Sequence, residues 1–244
     1  SSFVALFSAY GLEIAQVRKF EQVGRYTGVL ELCKKTPEDA FSMYFISDYL
    51  YHGRKGIKQN QALGRESYQK AIPELTDLAE KGNIDAQYYL GRCYEYGEND
   101  SKSARKWYIK AADNGNSDAM ITAAMFIAKR RGGGKTDPQA VMTYIQKAIT
   151  AGNPDGKALL ASFHLEGRKD IEKGIILAKE AAEQKSPLGQ MILGGIYLRG
   201  IGTVKRDEEK ALEFFQQSSD QGNSAVNEVL EQLKKKLHAN DRKK

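Results

Sequence analysis

Small and apolar residues return every three or four positions along most of this chain, in helix-length segments divided by polar, glycine-containing turns. Ala86, Leu90 and Tyr94 share one side of a helical wheel; beyond a loop, Ala104, Trp107, Tyr108, Ala111 and Ala112 share one side of a second. That period is the mark of an amphipathic helix, so the two segments predict an αα-hairpin. Gly91 lies at the edge of the first stripe, where a missing side chain lets the second helix come close.

The hairpin repeats. Asn83-Ile84-Asp85-Ala86 returns as Asn116-Ser117-Asp118-Ala119 and Asn153-Pro154-Asp155-Gly156, each directly after a glycine (Gly82, Gly115, Gly152), at spacings of 33 and 37 residues. Gly222-Asn223 follows 70 residues later, two units of 35, with the intervening copy reduced to Lys185-Ser186-Pro187. Hairpins this small cannot bury an apolar face alone and stack on their neighbours to do so. Thr36-Pro37, Asp137-Pro138, Asn153-Pro154 and Ser186-Pro187 each pair a capping residue with a proline suited to a first helical turn; Thr36, with Asp39 three residues on, approaches a capping box. Pro73 predicts a kink or a fresh helix in the first repeat. Ile14, Val17, Val23, Tyr26, Leu30 and Cys33 before the repeats, and Ala225, Val229, Leu230 and Leu233 after them, are spaced as amphipathic end caps.

These residues resemble the Sel-like repeats of the tetratricopeptide superfamily, whose unit runs Ala-x-x-x-Leu-Gly-x-x-Tyr-x-x-Gly, a loop, Asp-x-x-Lys-Ala-x-x-Trp, then Ala-Ala-x-x-Gly-Asn. Ala86, Leu90, Gly91, Tyr94, Gly97, Ala104, Trp107, Ala111, Ala112, Gly115 and Asn116 fit it. So do Leu193, Gly194, Tyr197, Gly200, Gly202, Val204, Asp207, Lys210, Ala211, Gly222 and Asn223. In the first unit Ile46, Ser47, Leu50 and Gly53 supply the motif and Tyr68 takes the Trp place; the third has Ala123-Ala124 for Leu-Gly, Ile127 for Tyr and Arg130 for Gly, and the fourth has His164 for Tyr. The division that follows is an N-terminal capping region at 1–37, five repeats at about 38–83, 84–116, 117–153, 154–186 and 187–223, and a C-terminal capping helix with a basic tail at 224–244. The resemblance implies an all-α, right-handed α-solenoid that performs no catalysis and holds a partner protein in a concave groove. It also implies a bacterial protein, periplasmic or secreted with a cytoplasmic location as the alternative, and a monomer is expected. A narrower version is an immunity or inhibitor protein that neutralises a toxin.

Composition trims the alternatives. Hydrophobic residues at 41%, charged residues at 28% and a mean hydropathy of -0.55 describe a foldable, water-compatible chain, and no apolar run nears the roughly 18 residues of a membrane helix. Of the net charge of +6, the last eleven residues hold +5 through Lys234, Lys235, Lys236, Arg242, Lys243 and Lys244 against Asp241, leaving +1 for the rest. Nucleic acid needs a sustained cationic surface with stacking aromatics, so no nucleic-acid partner is expected. Residues 1–10 are mildly apolar but lack a basic start and a Met, as in a mature chain already trimmed. Cys33 and Cys93 are far apart and expected as buried free thiols.

Candidate chemistry is sparse. Gly132-Gly133-Gly134-Lys135-Thr136 ends like a phosphate-binding loop, but the first glycine of such a loop would fall at Lys129, and the stretch follows a helix and not a strand. It is expected to be an inter-helix loop whose glycines supply turn dihedrals. His52, His164 and His238 belong to separate segments, no Gly-x-Ser-x-Gly elbow occurs, and no metal or cofactor is implied. A hydrolase of the β-lactam-binding kind, known among cysteine-rich relatives, is disfavoured because those carry a cysteine pair in every unit.

The tyrosines say more. With Ala86 at 0°, Leu90 and Tyr94 fall near 40° and 80°, whereas Glu95, Tyr88, Arg92 and Tyr96 fall at roughly 180°, 200°, 240° and 280°. Equivalent positions are Tyr44, Asp48, Tyr51 and His52 in the first unit, Ile121, Met125 and Lys129 in the third, and Met191 and Arg199 in the fifth. By resemblance the first helices line the groove, which makes these residues partner-binding candidates, Tyr and Arg being the usual anchors of protein interfaces. Packing against the neighbouring repeat is the competing reading. Replacing Tyr88, Arg92 and Tyr96 together separates the two: a binding role leaves melting nearly unchanged, and packing does not.

Overall fold

The computed structural model describes residues 12–167 and 170–241; the mildly apolar stretch at 1–10 and Arg242, Lys243 and Lys244 of the basic tail lie outside the described residues. Among these every regular element is helical, with one isolated bridge between Arg54 and Ile57. The chain forms two compact units, Ser1–Pro138 and Gln139–Lys244. The first holds α1 (Ile14–Gln22), α2 (Tyr26–Cys33), α3 (Ala40–His52), α4 (Gln61–Glu80), α5 (Ile84–Tyr96), α6 (Ser101–Asp113) and α7 (Ser117–Ala128). Here α3 pairs with α4 and α5 with α6, while α4 packs on α5 and α6 on α7. The second holds α8 (Pro138–Thr150), α9 (Pro154–Glu166), α10 (Ile171–Glu183), α11 (Pro187–Arg199), α12 (Glu208–Asp220), a 3-10 turn (Ser224–Val226) and α13 (Asn227–Asp241). Its α9/α10 and α11/α12 hairpins stack through α10 on α11. This is the all-α stacked-hairpin class expected.

The Gly-Asn-x-Asp signature has three tasks. Gly82, Gly115 and Gly152 turn the chain at φ of 92°, 101° and 77°, left-handed values that favour glycine. The next residue caps the following helix: Asn83 Oδ1 accepts from the Ala86 amide at 2.9 Å and Asn116 Oδ1 from Ala119 at 2.8 Å. The Asp ties repeats together. Asn116 Nδ2 donates to Asp85 Oδ1 at 3.1 Å, and the Ser186 hydroxyl donates to Asp155 Oδ1 in the second unit. The degraded copy keeps these tasks, since Lys185 adopts φ 61° and Ser186 Oγ caps the Gly189 amide at 2.7 Å.

Hairpins close where glycine faces an aromatic ring. A Cβ on Gly91 would come within 2.8 Å of the Tyr108 ring, and one on Gly194 within 2.9 Å of Phe215. Two local expectations change. Helix α3 starts at Ala40 with Asp39 as its cap, so Pro37 precedes the helix and the Thr36 hydroxyl bonds that of Ser42 instead, at 3.0 Å. Pro73 starts no new helix: α4 runs through it. A mid-helix proline costs about 3 kcal/mol, and burial of Tyr68, Ala71, Leu75 and Ala79 on the same helix outweighs it.

The N-terminal helix does more than close an end. Val17 is fully buried, Arg18 reaches Asp85 at 3.2 Å and Asp118 at 4.0 Å, and Glu21 accepts from the Tyr49 hydroxyl at 2.8 Å. Helix α1 is thereby fastened to α3, α5 and α7, each the first helix of a repeat. Val23 leaves the apolar stripe, 67% exposed, because α1 ends before it. At the other end α13 covers Phe215 with Val226, Leu230 and Leu233.

Candidate protein-binding site

Packing of α5 beside α3 brings eight of the candidates together in the first unit. Asp48 is their hub. Its carboxylate, on a side chain 7% exposed, accepts from Arg54 Nη2 at 2.6 Å, Arg92 Nη2 at 2.7 Å, the Tyr68 hydroxyl at 2.9 Å and the Tyr44 hydroxyl at 3.3 Å, with His52 Nε2 at 3.8 Å. Burial opposes ionisation of Asp48, but the Arg92 and Arg54 guanidiniums hold its carboxyl well below the usual range. Burial, helped by the two guanidiniums and opposed by Asp48, takes the His52 imidazole down to about 4. An anion clamped between two cations is a structural charge and a poor proton acceptor, so nothing here resembles general acid–base chemistry.

Rings surround the cluster. Tyr44 stacks on Tyr89 at 4.3 Å between centroids, His52 meets the Tyr96 ring edge-on at 4.7 Å, and the Arg92 guanidinium lies 5.0 Å from the Tyr96 centroid. Tyr51 contacts Tyr96 at 5.3 Å. Tyr88 is half-buried beside Tyr89 and Tyr108, and burial pushes its phenol up to about 12. Glu95 accepts from the Tyr108 hydroxyl at 2.6 Å and from Arg131 Nη1 at 2.7 Å, and Arg131 lies over Phe126.

Much of this side of the helices is packed against the neighbouring repeat, the competing reading of the helical wheel. Tyr44 and Asp48 are buried and offer a partner no surface, as is Ile121. Arg92 bridges two repeats, so the expectation that replacing it with Tyr88 and Tyr96 could spare stability is revised: its loss strands Asp48. What remains accessible is the outer part of Tyr51, His52, Tyr88, Arg92 and Tyr96, the half-buried Met125 and the exposed Lys129. Met191 and Arg199 belong to the second unit; Met191 packs by the Phe215 cluster and Arg199 is exposed. Sequence reasoning missed Arg54, Arg131 and Glu21. The first two lie in loops, where no period betrays them. Glu21 is in α1, whose partner helices are remote in sequence.

Other candidates resolve simply. Gly132, Gly133 and Gly134 have φ of 73°, 83° and 86°, the turn role expected. Among the described residues no group of His, Cys, Asp and Glu could hold a metal ion, and no helix is long and apolar enough to cross a membrane. Cys33 and Cys93 are buried free thiols.

The Sel1 repeat pattern matches residues 40–72, 84–116, 154–186 and 187–223, passing over 117–153, where the sequence departs from it. Sel1-repeat-containing protein YjcO of Escherichia coli (strain K12) is 33% identical over 148 residues, covering 58% of this chain; the chain spans 63% of that relative's length. A Sel1 repeat protein from Oxalobacter formigenes superposes with a TM-score of 0.52 at 23% identity, over 90% of this chain and 84% of the other. Immunity protein Pa5087 of Pseudomonas aeruginosa superposes with a TM-score of 0.50 at 22% identity, over 77% and 67%. Both likenesses concern the fold. With more than half of its residues matched, in four repeats, the chain belongs to the Sel1 repeat family.

Proposed function

We propose that this protein is a non-catalytic interaction scaffold, holding a partner protein on the face formed by α5 and α7. One observation carries the reading: Tyr88, Arg92 and Tyr96 each keep an exposed portion while their inner portions are fixed, Arg92 and Tyr96 by the Asp48 cluster and Tyr88 by the rings of Tyr89 and Tyr108. Large side chains already ordered lose little entropy on binding, and Tyr and Arg are the residues most often found as binding anchors. Met125 and Lys129 extend the face onto and past α7.

A photo-crosslinking residue at Met125, with a second chain labelled at the exposed Ile176 of α10 as control, tests this in cells of the source organism. The expected result is a discrete crosslinked protein from position 125 that position 176 does not give. Identical bands from both positions would refute it. If the captured protein is a secreted toxin, the chain is an immunity protein, as its Pseudomonas fold-mate is named; any other partner makes it an adaptor.

A further inference from the structure

The loop after α7 runs Lys129-Arg130-Arg131-Gly132-Gly133-Gly134-Lys135 and lies against α6. Arg105 Nη1 of α6 donates to the Gly133 carbonyl at 2.8 Å, and a side chain on Gly132 would collide with the Ser101 carbonyl oxygen. Arg130 is itself held left-handed, at φ 54°, a conformation uncommon for a residue with a side chain. The result is a pinned loop with Lys129, Arg130 and Lys135 exposed. On the adjoining α6, Lys102, Lys106 and Lys110 are exposed at intervals of four residues, which places them along one side of the helix.

Residues 95–113 and 129–137 hold eight cations against five acids, in a chain whose net charge outside its last eleven residues is only +1. Two of those acids are engaged: Glu95 with Tyr108 and with Arg131, one of the eight cations, and Asp100 with the amides that open α6. Among the described residues, Arg131 is the cation of the loop that forms an ion pair. The loop's remaining cations face solvent on a scaffold that glycine dihedrals hold in place.

We propose that this edge of α6 and the following loop docks an acidic segment of the partner protein. The proposal rests on the scaffold reading and adds the partner's chemistry to it. Protein is favoured over nucleic acid because the patch is one loop and one helix side, without the extended cationic track and free stacking rings that a strand requires. The single tryptophan, Trp107, is already covered by the Lys110 ammonium at 4.6 Å.

The test is fluorescence anisotropy of the full chain with a labelled ten-residue oligo-glutamate, and separately with a labelled oligo-thymidylate. The edge variant combines Lys129→Glu, Arg130→Glu and Lys135→Glu. A control variant combines Lys173→Glu, Lys179→Glu and Lys205→Glu, exposed lysines of the second unit, for the same change in charge. Oligo-glutamate should bind the natural chain, weaken as salt rises, lose roughly tenfold or more in affinity in the edge variant, and lose less than about twofold in the control. Equal losses in both variants, no binding at all, or tighter binding of oligo-thymidylate would overturn the proposal. A Met125 crosslink that survives in the edge variant sinks this proposal alone and leaves the scaffold reading standing.

Discussion

Asparagine in place of Asp48 keeps the side chain's shape and removes its charge. Asp48 is 7% exposed at the side chain, Arg54 10% and Arg92 22%, so water can replace little of what is lost. Two guanidiniums would then face a neutral amide inside the first unit, and the Tyr68 and Tyr44 hydroxyls would lose an ionised acceptor. Removing one partner of a buried ion pair costs about 3–5 kcal/mol, which for a chain of this size lowers the melting temperature by about 10 °C. Trp107, the single tryptophan, belongs to α6 of the same unit, so urea unfolding followed by its fluorescence reports the unit directly. Adding Arg92→Met to Asp48→Asn should recover part of the loss, because the double variant leaves fewer unpaired charges. A single-variant loss under about 1 kcal/mol would mean that the cluster is solvated, and the account of this face would be wrong.

Three further outcomes are expected. His52 ionises near 4 in the folded chain against 6.5 when free, so the unfolded chain takes up the proton first and stability drains as pH falls from about 6.5 toward 4; at pH 5 the deficit is about 2 kcal/mol. Urea midpoints of His52→Gln should therefore fall less between pH 8 and pH 5 than those of the natural chain, and equal slopes would count against a buried imidazole. Gly91→Ala drives a methyl into the Tyr108 ring and should cost about 1–3 kcal/mol by the same fluorescence; no change would show that α5 and α6 part freely. Burial raises the Cys33 thiol to about 11 and the Cys93 thiol too, so a thiol reagent at pH 8 should label neither until urea is added, and prompt native labelling would contradict their burial.

The fold was legible because its signals are local. Gly-Asn announces a left-handed turn and a cap within two residues, and Gly91 opposite Tyr108 announces a close helix pair within one hairpin. Exposure was not legible. A helical wheel tells which side of α5 carries Tyr88, Arg92 and Tyr96, but what covers that side arrives from elsewhere: Asp48 lies 44 residues back from Arg92, and Arg54 sits in an irregular loop. The wheel leaves open whether a polar side chain on the face away from its own hairpin is wet or packed; opposite charges from two repeats neutralise each other there and let much of the surface close. Of the two outcomes Pro73 allows, a fresh helix is absent because α4 continues through it, held by what the same helix buries.

The reach of Arg18 has a consequence for how the molecule comes apart. Ties such as Asn116 to Asp85 and Ser186 to Asp155 span 31 residues, and an array held only by ties of that length frays one hairpin at a time from its ends. Arg18 bonds across 67 residues to Asp85 and beyond it to Asp118. The two contacts are half-exposed ion pairs worth little each, so what they add is span: one side chain of the capping helix touches the first helices of the second and third repeats, and loss of that helix unties both at once.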